Sequence, residues 1–383
     1  MFGRANGSGN RSRDGTKKYF SSPPLGLTLL EVREIDVGSM VGEKYELLRK
    51  LSGGGTGEVF LALHREGDMK VAIKILPQKR TSEGAAKRTL NEFRTISQLQ
   101  SENIVRALDA GVTTSGSPYL VTEFLLGEDL ASLLKRRKRV DPAEAIDYVL
   151  EACIGLAAAH RVGIVHRDIK PANIFIAEPT PGDKCVKILD FGLAKDLQAM
   201  DSTTKNFSML GTPTHLSPEQ LRDAKNVDAR TDVWAMGVTL YEMITGALPF
   251  TAENPARYFA AIVNDPPYPF SHFGIEHDGI EKVLRRALEK DPENRIGSIE
   301  AFAVLISRYG SSRAETLVDR VENEALTAKR LPIVAPPSAG ALPPHRSKGP
   351  KRKRLEKRKQ ISPWWYFLGV IGLALVGFLL ARR

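Results

Sequence analysis

The sequence predicts an α+β protein with one transmembrane helix near its C-terminus, and three observations carry that expectation. Strand-like segments, YELLRKL, SGGGTGEVFLAL and MKVAIKIL, open the globular region. Apolar-periodic stretches around IEAFAVLISRYG and AETLVDRVENEALTAKR close it and read as helices, the first stopped at Gly310. The run WWYFLGVIGLALVGFLLA, from Trp364 to Ala381, carries no charge. At 383 residues, 42% hydrophobic and 26% charged, the chain is long enough to bury a sizeable core and to divide it between two lobes.

The formal net charge of +10 is local. Residues 346–383 hold eleven Lys or Arg and one acid, which accounts for the whole excess; the preceding 345 residues carry 44 bases and 44 acids. A basic tail without interleaved aromatic residues, attached to a neutral globular region, argues against nucleic acid as a partner. The two cysteines, Cys153 and Cys185, lie far apart in apolar contexts. They read as buried free thiols in a reducing compartment rather than as a disulfide or a metal site.

From the N-terminus, residues 1–39 begin with Gly, Ser, Asn and Arg, lack the apolar core of a signal peptide and are expected to be flexible. The globular region runs from about Met40 to about Arg313. Between its first two strand-like segments stand Gly53, Gly54, Gly55 and Gly57. Such a hairpin lets backbone N–H groups approach a phosphate closely, and Val59 just beyond offers an apolar roof for a base. Fifteen residues after Val59, Lys74 sits in the apolar strand VAIK. An ammonium there is costly unless it meets anions, so phosphates and a carboxylate partner are implied. Further on, HRDIKPANIF (166–175) sets His166, Arg167, Asp168, Lys170 and Asn173 between apolar runs, again demanding partners.

Taken in order, these motifs resemble the eukaryotic-type (Hanks-type) serine/threonine protein kinase family, in particular its bacterial members. The resemblance covers roughly residues 45–310: LSGGGTGEVF looks like the glycine-rich loop, VAIK the strand with the phosphate-binding lysine, HRDIKPAN the catalytic loop, DFG stands at 190–192, and SPE at 217–219 takes the place of APE. It implies a bilobal protein-kinase fold, with a small β-rich N-lobe and a larger helical C-lobe, and ATP and Mg2+ as cofactors.

The same resemblance implies individual roles. Asp168 accepts or orients the proton of the substrate hydroxyl, while Asn173 and Asp190 hold magnesium. Lys170 meets the transferring phosphoryl group, as in serine/threonine members. Lys74 pairs with Glu92 in NEFRTISQLQSENIV, with Glu83 as the competitor. The nucleotide is cradled by Leu51, Ser52, Gly53, Gly54, Gly55, Thr56, Gly57, Glu58, Val59 and Ala72. YLVTEFLLGEDL resembles the strand and hinge that bind adenine, with Thr122 as gatekeeper, Glu123 and Leu125 offering backbone groups, and Asp129 reaching the ribose. Asp232 braces the catalytic loop and Arg295 pairs with Glu219. Ser52 departs from the pattern, standing where the loop's first glycine is expected, and implies weaker nucleotide affinity rather than loss. Arg167 implies a phosphorylated activation segment, with Thr204 favoured over Thr203 and Ser208, and Thr212 closer to the catalytic loop. Pro179, Pro181 and Gly182 mark a surface turn in the hairpin before DFG.

Beyond the globular region, residues 311–330 read as a helical extension that either docks on the domain or leads away from it, and 331–360 as a proline-rich and then polybasic linker. As a helix at about 1.5 Å per residue, the run 364–381 reaches about 27 Å, close to the hydrocarbon thickness of a bilayer. Trp364, Trp365 and Tyr366 supply an interfacial belt, and the basic run at 351–359 places the globular region on the cytoplasmic side, in contact with anionic lipid. The expectation is therefore a membrane-tethered, autophosphorylating serine/threonine kinase acting on protein substrates. The alternative is a pseudokinase serving as a tethered binding module. It would require the loss of Lys74, Asp168, Asn173 or Asp190, and all four are present.

Overall fold

Six antiparallel strands form the first sheet in the order β1-β2-β3-β4-β6-β5: β1 (Met40–Val41), β2 (Tyr45–Gly54), β3 (Gly57–His64), β4 (Met69–Ile75), β5 (Ala107–Val112) and β6 (Pro118–Glu123). The computed structural model describes residues 36–54, 57–77, 90, 93, 97–99, 101–191, 214–223 and 226–327. Several expectations fall outside these residues: the loop tip Gly55 and Thr56, Glu92 and its competitor Glu83, the phosphorylation candidates Thr203, Thr204 and Ser208 with Thr212, and the linker and apolar run beyond 327. Among the described residues no helix is long and apolar enough to cross a membrane.

The three strand-like segments of the sequence become β2, β3 and β4, and their period of two decides which side chains reach the site. In β4, Val71, Ile73 and Ile75 pack with Leu47, Phe60, Tyr119 and Val121 in one apolar cluster. Alternation therefore turns Ala72 and Lys74 to the opposite face. The β2–β3 hairpin pairs Ser52 with Val59 and Gly54 with Gly57. Gly57 cannot be replaced freely: its φ is +126°, and a Cβ there would stand 2.5 Å from the Ile75 carbonyl oxygen.

The second lobe is helical. α1 (Leu130–Arg137) follows the short strand β7 (Gly127–Asp129). α2 (Pro142–Arg161) starts at Asp141, whose carboxylate accepts from the Ala143 and Glu144 N–H groups, with Pro142 in the first turn where no N–H is needed. It is apolar on nearly every side, and the packing explains why: it runs through the lobe's core with α4 (Arg230–Thr245). Around them lie α3 (Pro218–Asp223), α5 (Pro255–Asn264), α6 (Asp278–Ala287) and α7 (Ile299–Ser307). A second sheet joins β7, β8 (Ile174–Thr180) and β9 (Asp183–Ile188), with the expected turn at Pro181 and Gly182.

The helical extension becomes α8 (Ala314–Thr327), and it docks rather than leading away. Ala314, Leu317 and Val321 are buried in the core beside α2. Burying a leucine or valine side chain is worth about 1.5–3 kcal/mol. Polar ties fix its position: Ser311 Oγ donates to Asp147 at 2.5 Å, Arg313 Nη2 to Glu151 at 2.9 Å, and Arg320 Nη2 to Asn103 Oδ1 at 3.2 Å. The folded unit thus continues past Gly310, where the resemblance ended, to residue 327.

Candidate active site

The face of the first sheet that carries Ala72 and Lys74 borders a cavity of about 550 Å³. Leu51 and Ser52 from β2, Val59 from β3, Thr122 and Glu123 from β6, and Leu125 and Asp129 beyond it line the near side; Asp190 lines the far side. Lys74, 9% exposed, places its Nζ 2.7 Å from Asp190 Oδ2. This is the carboxylate that its burial required, supplied among the described residues by Asp190. Glu123 is engaged at the hinge, where its Oε1 accepts from Arg106 N at 2.9 Å and from Lys187 Nζ at 3.0 Å. Asp129 lines the cavity while its Oδ1 caps α1 through Ser132 N at 2.7 Å. Gly53, Gly54 and Gly57 lie in the hairpin above, where Lys50 pairs with Glu58.

The catalytic-loop residues find their partners in the fully buried Asp232. His166 N and Arg167 N donate to its two carboxylate oxygens, each at 2.8 Å, and His160 Nε2 lies 2.8 Å from Oδ2. Burial alone would raise the Asp232 pKa. The hydrogen bond from His160, with the field of His160 and the field and N–H of His166, outweighs it and holds the carboxyl below its ordinary value. The His166 ring accepts from Asp168 N at 3.2 Å through Nδ1 and donates from Nε2 to the Leu189 carbonyl at 2.8 Å, which fixes its tautomer and joins this loop to the strand leading into Asp190. Gln220 Nε2 donates to the Arg167 carbonyl at 2.8 Å. Arg295, its side chain fully buried, grips Glu219 at 2.6 and 2.9 Å, as expected.

Asp168 is held by two neighbours. Lys170 Nζ donates to its Oδ2 at 2.7 Å and Oδ1 at 3.0 Å; Asn173 Nδ2 donates to its carbonyl at 2.7 Å and its Oδ2 at 3.0 Å. Two non-glycine residues take positive φ here, Arg167 at +67° and Asp190 at +56°, a conformation costing about 1–2 kcal/mol per residue for side chains with a Cβ. The surrounding bonds over-determine both: Arg167 through Asp232 and Gln220, Asp190 through Lys74.

The structure thus brings together Lys74, Asp168, Lys170, Asn173 and Asp190. Several contributors escaped the sequence reading. His160 and Gln220 satisfy the loop, and Val105, Leu120, Phe124, Phe175 and Leu189 wall the cavity. Phe175 lies within the stretch 166–175 and Leu120 within YLVTEF, so strand alternation around those motifs was a usable signal.

The protein kinase domain family matches residues 45–305. The chain belongs to the protein kinase family. It is 36% identical over 276 residues to the serine/threonine-protein kinase Pkn1 of Myxococcus xanthus, covering 72% of this chain and 39% of that protein. It is 37% identical over 265 residues to the serine/threonine-protein kinase PknB of Mycobacterium leprae, covering 67% and 41%. The chain spans about two fifths of the length of these relatives. The crystal structure of the Mycobacterium tuberculosis PknI kinase domain superposes with a TM-score of 0.58 at 24% identity, covering 72% of this chain and all of that one, a likeness of fold.

Protein kinases generally use ATP and Mg2+, and the donor set of this kinase domain suits them. No group of three or more His, Cys, Asp or Glu placed to hold a metal ion is present among the described residues. Asp190 offers a carboxylate. Asn173 commits its amide nitrogen to Asp168, which leaves its side-chain oxygen for a cation. One carboxylate and one amide oxygen fit a hard cation that completes its shell with phosphate oxygens and water, as Mg2+ does.

Proposed function

We propose that the protein is a serine/threonine kinase that transfers the γ-phosphoryl group of ATP to Ser or Thr hydroxyls of proteins. The observation that carries this reading is that Asp168, braced by Lys170 and Asn173, is tied to the Lys74–Asp190 pair through Leu189, whose N–H donates to the Asn173 carbonyl at 2.9 Å and whose own carbonyl accepts from His166 at 2.8 Å. The apolar cavity walls and the hinge would hold the base, and Lys74 would meet phosphate oxygens. Asn173 and Asp190 would hold Mg2+, which supplies charge neutralisation when bound.

Asp168 takes the hydroxyl proton as the substrate oxygen bonds to phosphorus and the bond to the leaving phosphate oxygen breaks. Lys170, within 3.0 Å of both Asp168 oxygens, offsets negative charge on the moving group. Because phosphoryl transfer depends mainly on positioning and electrostatics, the Asp232 brace, which sets the backbone of His166 and Arg167, is part of the machinery.

The reading extends to location and regulation. The uncharged run 364–381 and the basic run 351–359 support a tether to the cytoplasmic face of a membrane, and the presence in the sequence of Arg167 before the catalytic aspartate and of the candidates Thr203, Thr204 and Ser208 between DFG and SPE supports autophosphorylation.

The test incubates the full-length protein with labelled ATP and Mg2+ beside Asp168→Asn, maps the labelled residues, and fractionates expressing cells. Incorporation lost in Asp168→Asn, with label on the activation segment and the protein in the membrane fraction, supports all three parts. A folded protein that binds ATP without transferring phosphate to itself or to a generic substrate refutes the enzymatic one.

A further inference from the structure

We propose that a basic groove beside Lys170 selects acidic segments of protein substrates, an inference that rests on the kinase reading and adds a substrate class to it. The groove, of about 410 Å³, is lined by Lys135, Lys138 and Lys170, with His215 and Glu242 along one wall. Its first two lysines belong to KRRKR (135–139), five consecutive cations in a region whose bases and acids balance overall.

The structure sorts these five. Arg136 pairs with Glu128 at 2.5 Å, Arg137 with Glu144 at 2.8 Å, and Arg139 Nη1 donates to the Phe273 carbonyl at 3.4 Å. Lys135 and Lys138 have no acidic partner among the described residues. Three apart at the end of α1, they share a helix face, and that face meets the groove. Cations at a helix C-terminus complement its dipole, which explains charge at this end but not why the two unpaired members converge on Lys170.

The position of Lys138 is rigid. It caps α1 at φ +66°, a conformation that usually takes glycine, with its N–H donating to the Leu134 carbonyl. Val140 N donates to the Met243 carbonyl at 2.9 Å, and a Cβ on Gly246 would stand 2.7 Å from the Lys138 oxygen, so the end of α1 is pressed against the end of α4. Glu242 is the one acid in the lining; its Oε2 lies 3.3 Å from His215 Nε2 and forms no ion pair with Lys135 or Lys138. At the other end Lys170 bonds Asp168 at 2.7 Å. A polypeptide presenting its hydroxyl to Asp168 therefore passes its flanking side chains over three ammonium groups, and a carboxylate among them is attracted. Such exposed pairs act mainly on encounter and KM and weaken with salt.

The experiment uses the full-length protein and threonine peptides whose flanks are neutral, Glu-rich or Lys-rich, comparing wild type with Lys135→Ala/Lys138→Ala and with Lys135→Glu/Lys138→Glu. Wild type is expected to show a KM about tenfold lower for acidic than for neutral flanks at low salt. The alanine pair abolishes that preference with neutral-peptide kinetics changed less than about twofold, and the glutamate pair shifts it toward Lys-rich flanks. An acidic preference that survives both pairs overturns the proposal, as does no preference, or a Lys-rich preference, in wild type. Loss of all peptide phosphorylation instead counts against the kinase reading itself. Fluorescence anisotropy of a labelled acidic peptide then decides the groove alone: binding removed by the alanine pair upholds it, and absent or unchanged binding refutes it.

Discussion

Lys74 and Asp190 stand 116 residues apart in sequence and 2.7 Å apart in space. The contact joins a strand of the first sheet to the segment that follows β9, closing the cavity between them. Lys74→Met leaves Asp190 without its cation and removes the buried one of the two cations, Lys74 and Arg49, that line the cavity. The expected loss is about 10²–10³ in kcat, the scale for removing one preorganised electrostatic group, read as label transfer to a generic substrate. A melting temperature close to wild type would show that the loss is chemical.

The brace at Asp232 ties stability to pH. Its carboxyl pKa is lowered in the folded state, so the stability it contributes is present above the unfolded value near 3.9 and disappears as pH falls through the folded value. Asp232→Asn presents an N–H2 group to at least one of three donors. A loss of about 3 kcal/mol is expected at neutral pH from this broken buried network. Urea midpoints should show the gap between variant and wild type narrowing below pH 4, and a gap independent of pH would contradict the assignment.

The buried pair of Arg295 and Glu219 gives a second stability test. Glu219→Ala leaves the guanidinium uncompensated with a side chain fully out of water, at an expected cost of about 3–5 kcal/mol. Glu219→Leu combined with Arg295→Met should recover most of that in thermal unfolding, because the desolvation cost leaves with the charge.

The hairpin glycines separate folding from binding. Gly57→Ala forces a side chain into positive φ and against the Ile75 carbonyl, so both melting temperature and ATP affinity should fall, the latter about tenfold. At Gly54 a Cβ meets nothing within 4 Å, so Gly54→Ala should melt with wild type. Any rise in its KM for ATP then reports how closely the backbone approaches phosphate.

Much of this site was readable before any coordinates. The resemblance carried by VAIK, HRDIKPAN and DFG named Lys74, Asp168, Asn173 and Asp190, and the period of β4 put Lys74 on the cavity side. Partners were harder. His160 and Gln220 complete the loop only because α2 and α3 arrive beside it, and no local pattern specifies such a meeting. The resemblance paired Lys74 with Glu92, which lies outside the described residues; the further contact with Asp190, brought there by the pairing of β8 and β9, was not foreseen. The docking of α8 was open for a similar reason: an amphipathic stripe shows that a face must be covered, not by what.

Arg167 holds its positive φ at an energetic cost and would relax as glycine, whereas Asp190, strained in the same way, is the carboxylate that buried Lys74 requires. A thermal-tolerance library sorted without a phosphorylation assay would therefore enrich glycine at 167 while keeping the aspartate at 190. Selection for endurance alone would erode the loop geometry and spare the Lys74–Asp190 pair.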